Sequence, residues 1–172
     1  MKIFYLLLSA VLILAIIGGF VMLNNIIELY TLTNRIEGKI ITSGWSAFPE
    51  VDLDILAKRH IITDEEKRDI YLIKNDAESK VREYIKKNLK LDDSYYPKDD
   101  SFIKLKAYPV IIDDITIYNP DELPTIAPNG VNINNTSIYI SLQFPIYINF
   151  VGDCYKKIEV IVDTKTFYSQ FQ

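Results

Sequence analysis

The chain has 172 residues, 49% of them hydrophobic, with 19 Lys and Arg against 23 Asp and Glu and a net charge of −4. That acidic balance argues against nucleic acid, whose phosphates call for a basic face. The single cysteine, Cys154, excludes an internal disulfide, and the length leaves room for one modest domain beside any membrane segment. Abundant Ile, Lys, Asn, Asp and Tyr, with little Gly or Ala, point to AT-rich, bacterial coding.

The first element is apolar. Residues 3–27 carry no charge, and Ile3 to Leu23 is broken only by Ser9, Gly18 and Gly19. About 21 helical residues at roughly 1.5 Å each span some 30 Å, the thickness of a bilayer's hydrocarbon core. A cleaved secretory signal has an apolar core of about 7 to 15 residues ending in a small-x-small site. This run is longer, and no Ala-x-Ala follows it. A lipoprotein needs a cysteine close behind the run, and Cys154 is remote from it. An uncleaved anchor over residues 1–27 fits best. Lys2 and the α-amino group precede the span, and Glu28 comes first after it, followed by Arg35 and Lys39; the balance favours a cytoplasmic N-terminus and an extracytoplasmic C-terminus.

The helix is expected to continue. Met22, Ile26, Leu29, Thr33, Ile36 and Ile40 form a helical stripe, with Asn25, Glu28, Asn34 and Glu37 on the other side, and Gly38 is a reasonable stop. Residues 28–62 then read as a stalk and connector. Gly44 and Pro49 break the pattern, Trp45 and Phe48 are expected to pack on the domain, and Leu53 to His60 reads as a short helix.

The domain proper is expected over residues 63–172. Thr63 and Glu66 match a capping box. Ile70, Ile73, Ala77, Val81, Ile85 and Leu89 then give an amphipathic helix from Thr63 to Leu89, with Asn75-Asp76 as its weak point. Asp64–Arg68, Glu78–Arg82 and Glu83–Lys87 are candidate i,i+4 pairs on its outer face. Leu91 to Asp100 is a polar loop. Phe102–Ala107 and Val110–Tyr118 read as strands, and Asn119–Asn135, with three prolines and Gly130, as a long loop. Ser137–Phe150 alternates most cleanly, with Ile138 to Phe150 at even positions inside and Tyr139, Ser141, Gln143, Tyr147 and Asn149 outside. Pro145 cannot donate to a ladder and suggests an edge or a bulge. After a turn at Val151–Cys154, Ile158, Val160 and Val162 line the returning strand. The expected class is α+β: a long membrane helix, then an amphipathic helix covering an antiparallel sheet of about four strands.

Chemistry is sparse. His60 and Cys154 are each unique, and nothing pairs them as base and nucleophile. Asp92-Asp93, Asp99-Asp100, Asp113-Asp114 and Asp121-Glu122 offer oxygens of the kind calcium uses, without an Asp-x-Asp-x-Asp-Gly loop. One His and one Cys do not make a zinc site, and no phosphate loop or nucleophile elbow is present. The expectation is no enzyme, no cofactor and no metal. The candidate interaction residues are Tyr139, Tyr147, Phe167, Tyr168 and Phe171. They read either as aromatics packed on the sheet or as an exposed protein contact.

The order of parts resembles a pilin-like protein, most closely the TadE-like minor pseudopilins of tight-adherence (Flp) pilus systems. The features are Met1-Lys2, the apolar helix running into Leu29–Gly38, the amphipathic helix around Ala77–Leu89, and the strands SIYISLQFPIYINF and KKIEVIVDT. Prepilin peptidase substrates are cut after a Gly that precedes the apolar helix, with a Glu a few residues on. Here Gly19-Phe20 lies late in the helix, and Asn24 stands five residues after Gly19. The layout therefore implies an unprocessed, anchored relative in a Gram-positive pilus, secretion or conjugation locus. The partners it implies are the lipid bilayer and other pilus or secretion subunits, met through the N-terminal helix. The alternative is an anchored extracytoplasmic ligand-binding or sensory module.

Overall fold

The computed structural model describes residues 2–52, 70–149 and 151–164. The expected helix at Leu53–His60, the capping box at Thr63, the Asp64–Arg68 pair and the first turns up to Asp69 lie outside the described residues.

Helix α1 runs from Lys2 to Trp45 without a break. Among the described residues it is the one helix long and apolar enough to cross a membrane. Its two halves differ. From Phe4 to Leu23 its large apolar side chains face outward, most of them more than half exposed. From Leu29 onward one face enters the core, with Ile36 and Ile40 fully buried and Leu29, Leu32 and Ile41 packed beside them. Gly38 does not end the helix. A glycine in a helix interior costs about 1 kcal/mol relative to alanine, and burying Ile40 and Gly44 against the sheet outweighs that. The helix closes instead at Trp45, where the amides of Ser46, Ala47 and Phe48 donate to carbonyls three residues back and Pro49 follows.

One face of residues 29–45 is therefore part of the core, while the other face stays exposed. From Leu29 to Ile40 the stripe that reads in sequence as the side of a free helix is the seam along which α1 meets the head, whereas Met22 and Ile26, lower on the same stripe, stay exposed.

Helix α2 spans Lys74–Leu89 and buries Ala77, Val81, Ile85 and Leu89. It is shorter than expected, because residues 70–73 are not helical. Val51 and Leu72 form an antiparallel bridge, with the Asp52 amide donating to Tyr71 at 2.8 Å and the Ile73 amide donating to Glu50 at 3.0 Å. The Asn75-Asp76 weak point therefore marks the first turn of the helix, not a break within it. At its far end Lys90 takes a left-handed conformation, φ 56°, and the Leu91 amide caps Lys86 at 2.8 Å. Glu78 pairs with Arg82 at 2.8 Å as expected, whereas Glu83 pairs back to Lys80 at 3.3 Å.

Three strands make the main antiparallel sheet: β1 (Ile111–Tyr118), β4 (Ser137–Ile148) and β5 (Gly152–Asp163), in the order β1-β4-β5. Two short strands, β2 (Thr125–Ile126) and β3 (Asn132–Ile133), pair within the loop between β1 and β4. A 3-10 turn at Pro120–Glu122 opens that loop. Phe102–Ala107 is not a strand; it runs beside α1 without ladder partners, burying Ile103.

The inner face of the sheet is continuous across strands. Ile138 faces Val162 and Ile117; Ile140 faces Val160 and Ile115; Leu142 faces Ile158. Both helices cover this face. Pro145 sits on the central strand, but beyond Gln143, where pairing with β1 has ended. Its missing N–H therefore costs nothing on that side. Between Ile112 and Asp114 the register slips, which leaves Asp113 as a bulge residue.

The class is α+β, as the periodicities imply. The expected set of about four strands becomes three long ones plus a small two-stranded hairpin.

Candidate functional site

The residues that could carry function cluster where bare helix becomes packed helix. β4 runs antiparallel to α1, and two contacts fix the alignment. Near the top, Gly44 lies against Val162 and Ile140. At the bottom, the Asn149 side-chain amide donates to Asn25 Oδ1 at 2.8 Å. From Asn25 to Gly44 the helix rises about 28 Å at 1.5 Å per residue, and from Ile140 to Asn149 the strand covers about 30 Å. The two lengths match, so helix and strand run side by side over the whole head.

Just above Asn25, Glu28 forms an ion pair with Lys104. The Arg35 guanidinium lies 4.2 Å from the centre of the Phe102 ring, an arrangement in which the cation meets the negative face of the ring. These contacts clamp the 102–104 segment to α1. Between them lies a cleft of about 230 Å³, lined by Leu29, Leu32, Pro145, Ile146 and Tyr147, with the charges of Glu28 and Lys104 at its mouth. Small-molecule pockets usually hold about 300–1,000 Å³, so this cleft is small for a ligand. A second hollow, between α2 and the loop after it, is lined by Lys86, Lys90, Asp93, Lys98 and Asp100. Those charges mostly neutralise one another, as in the Lys90–Asp100 pair at 2.7 Å and the Lys86–Asp93 pair at 3.2 Å.

The structure separates the expected aromatic contact residues. Tyr147 is 61% exposed, beside the junction. Tyr139 is 1% exposed and is not a contact residue. The loop carrying β2 and β3 folds back over the outer face of the sheet, and Ala127 and Ile133 pack on the Tyr139 ring. The Tyr139 hydroxyl donates to Glu159 at 2.8 Å. Burial, and then the hydrogen bond to Glu159, push the phenol's pKa up. Phe167, Tyr168 and Phe171 lie outside the described residues.

At least one member of each acidic pair makes a contact within the fold. Asp113, turned outward by the bulge, accepts from Gln143 Nε2 at 2.9 Å, and Asp114 accepts from the Thr116 hydroxyl at 2.8 Å. Asp92 caps its own turn by accepting from the amides of Ser94 and Tyr96. Glu122 is paired with Lys74 at 2.6 Å and accepts the Asn119 amide, and these two contacts hold its carboxyl below the ordinary carboxylate range. Cys154 is a half-buried free thiol opposite Ile146. His60, its conceivable partner, lies outside the described residues.

One buried polar residue escaped sequence reading. Asn119 is 7% exposed. Its side chain accepts the Leu72 amide at 3.0 Å and donates to the Leu72 carbonyl at 3.1 Å. It thus imitates a strand partner and ties the segment before α2 to the end of β1.

No protein-family model, curated protein or solved structure matches the chain significantly.

Proposed function

We propose that the chain is a membrane-anchored structural or assembly subunit of a pilus-like, secretion or conjugation apparatus, acting through helix packing and protein contacts rather than catalysis. One observation carries this reading: the same helix is bare over a bilayer's thickness and then becomes the spine of the head. Phe4 to Leu23 spans about 30 Å at 1.5 Å per residue, and Ile36 and Ile40 are fully buried in the head. A head so fixed has no hinge between anchor and domain, as suits a part that must hold position in an assembly. Lys2 before the span and Glu28 directly after it support a cytoplasmic N-terminus with the head outside.

The test is in vivo cross-linking from the exposed half of α1 and from the head, followed by identification of the captured proteins. Recovery of pilus, secretion or conjugation subunits is expected. Capture of none, with neighbouring genes unrelated to such machinery, would refute the proposal. Protease accessibility in intact cells, with N-terminal sequencing of the mature chain, tests orientation and retention of the anchor together.

A further inference from the structure

We propose that the tip of the β4–β5 hairpin, with Tyr147 and Val151, is seated in the lipid headgroup layer, so that the head lies on the bilayer rather than above it. The inference rests on reading α1 as the membrane span.

Height along α1 carries it. Asn149, at the hairpin tip, is hydrogen-bonded to Asn25. Asn25 lies only two positions beyond Leu23, where the apolar run ends. Two strand residues back from Asn149, about 7 Å higher, stands Tyr147. Five helical residues up from Asn25, also about 7 Å higher, stands Tyr30. The two tyrosines are thus at one level, and they are 61% and 68% exposed. Another exposed tyrosine, Tyr5, lies 25 residues below Tyr30, about 37 Å away at 1.5 Å per residue. That separation exceeds a hydrocarbon core of about 30 Å and falls within the 40–45 Å of a whole bilayer. Tyrosines at both ends of such a span match the aromatic belts of membrane proteins, where the ring meets acyl chains and the hydroxyl meets water.

On the helix face turned from the head, Ile26 and Ile27 remain exposed and apolar, so the bare surface continues upward to Tyr30. With the outer boundary at Tyr30, everything level with Asn25 is below it. The hairpin tip is then inside the headgroup layer. Its residues fit that place: Val151 is 71% exposed, at a turn where a soluble surface would carry a polar side chain. Gly152, at φ +96°, lets the turn close. The occupant is lipid, because the exposed apolar residues of the tip stand at the height where the apolar face of the helix is itself still exposed, as Ile26 and Ile27 show.

The experiment uses the full chain in phosphatidylcholine vesicles, with and without bromine on the acyl chains near the carboxyl end. Trp45 is the only tryptophan and stands about 30 Å above Asn25, so wild-type emission is expected to be the same in both. Val151→Trp adds emission that is expected to be largely lost in brominated vesicles. Tyr147→Trp provides an independent reporter somewhat higher on the same hairpin, and an unchanged far-ultraviolet dichroism spectrum and melting curve certify the fold of either variant. Phe20→Trp, within the span, must also be quenched. If Phe20→Trp is quenched and neither tip variant is, the seating is refuted while the anchor stands. If the tip tryptophans escape bromolipid yet are shielded from acrylamide, protein covers the tip, and the proposal is equally refuted. If Phe20→Trp escapes quenching, the anchor reading fails and the seating falls with it.

Discussion

Gly44→Ala tests the seam between α1 and the sheet. A Cβ at Gly44 would stand 2.8 Å from Val162 Cγ2, 3.1 Å from Val162 Cβ and 3.3 Å from Ile140 Cδ1. Carbon atoms in contact normally sit about 3.5–4.0 Å apart, so the worst overlap is roughly 0.7 Å or more. Val162 cannot swing away easily. It is β-branched, 1% exposed and paired with fully buried Ile138. Forcing one extra carbon into such a place costs about 1–3 kcal/mol. The change also improves helix propensity by up to about 1 kcal/mol, although less than that at the penultimate residue of the helix. The net expectation is a loss of about 1–2 kcal/mol, or roughly 2–8 °C in Tm for a head of this size. Gly38→Ala is the matched control. Its added Cβ would meet nothing within 4 Å, so it should gain about 0.5–1 kcal/mol. Thermal unfolding of the full chain in detergent micelles, followed by Trp45 emission and near-ultraviolet dichroism, reads both. Val162→Ala alone leaves a hole; combined with Gly44→Ala the two losses should be less than additive, because each relieves the other. Refutation is simple: if Gly44→Ala is as stable as Gly38→Ala, the helix does not lie against β5 as described.

Three further outcomes are expected. Asn119→Ala strands the buried amide and carbonyl of Leu72 and should cost about 2–6 kcal/mol, at about 1–3 per unpaired group; denaturant unfolding would show it as a lower midpoint. Glu122, held below its ordinary 4.5 by Lys74 and the Asn119 amide, contributes stability that is fully present above pH 4.5 and is lost as pH falls through its depressed folded value. The effect is small because the pair is well solvated. Lys74→Met should flatten the acid limb of a Tm-against-pH curve, and an unchanged limb would contradict the assignment. Tyr139, raised by burial and by Glu159, contributes stability present below pH 10 and lost as pH rises from there through its folded value. Tyr139→Phe should cost about 0.5–1.5 kcal/mol at neutral pH, the worth of one hydrogen bond, and should lessen the alkaline loss seen by dichroism.

How far the sequence could be read depended on the range of the interaction. Alternation from Ile138 to Ile146 revealed a strand with one buried face, because that period is local and each residue's side is set by its neighbours. It could not reveal that the opposite face is also half covered. Burial of Tyr139 depends on Ala127 and Ile133, which reach it only after the loop folds back. Likewise Gly38 and Gly44 look equivalent as helix breakers. Only the presence of Val162 beneath Gly44 makes one glycine a packing requirement and the other a mere tolerance. The apolar stripe from Thr63 to Leu89 overstates its helix for a related reason. Ile70 and Ile73 fit that stripe, but Leu72 is bonded to Asn119, 47 residues away in sequence, and its neighbours are drawn into extended conformation. Tertiary partners decided these points, and no local window contains them.

The same geometry sorts the surfaces available to a partner. Because β4 descends along α1, the β4–β5 tip is the end nearest the exposed apolar half of α1, and the β1–β4 connection is the end farthest from it. The exposed apolar residues of the lower end, Tyr147 and Val151, have lipid beside them on the reading above. Those of the upper end do not. Ile126 is 65% exposed and Val131 49% exposed, both on the β2–β3 excursion. That excursion springs from the Tyr118 and Ser137 ends of β1 and β4, roughly a strand length, about 30 Å or more, above Asn25. The Tyr139 cluster beneath it holds the excursion in place. A subunit that binds partners through its head while its base rests on lipid has this distal hairpin to offer, with a helix and no hinge between it and the bilayer. Partner contacts should therefore be sensitive to Ile126→Asp and Val131→Asp in the cross-linking experiment. Membrane seating should not be, and the two readouts together separate an assembly role from anchoring alone.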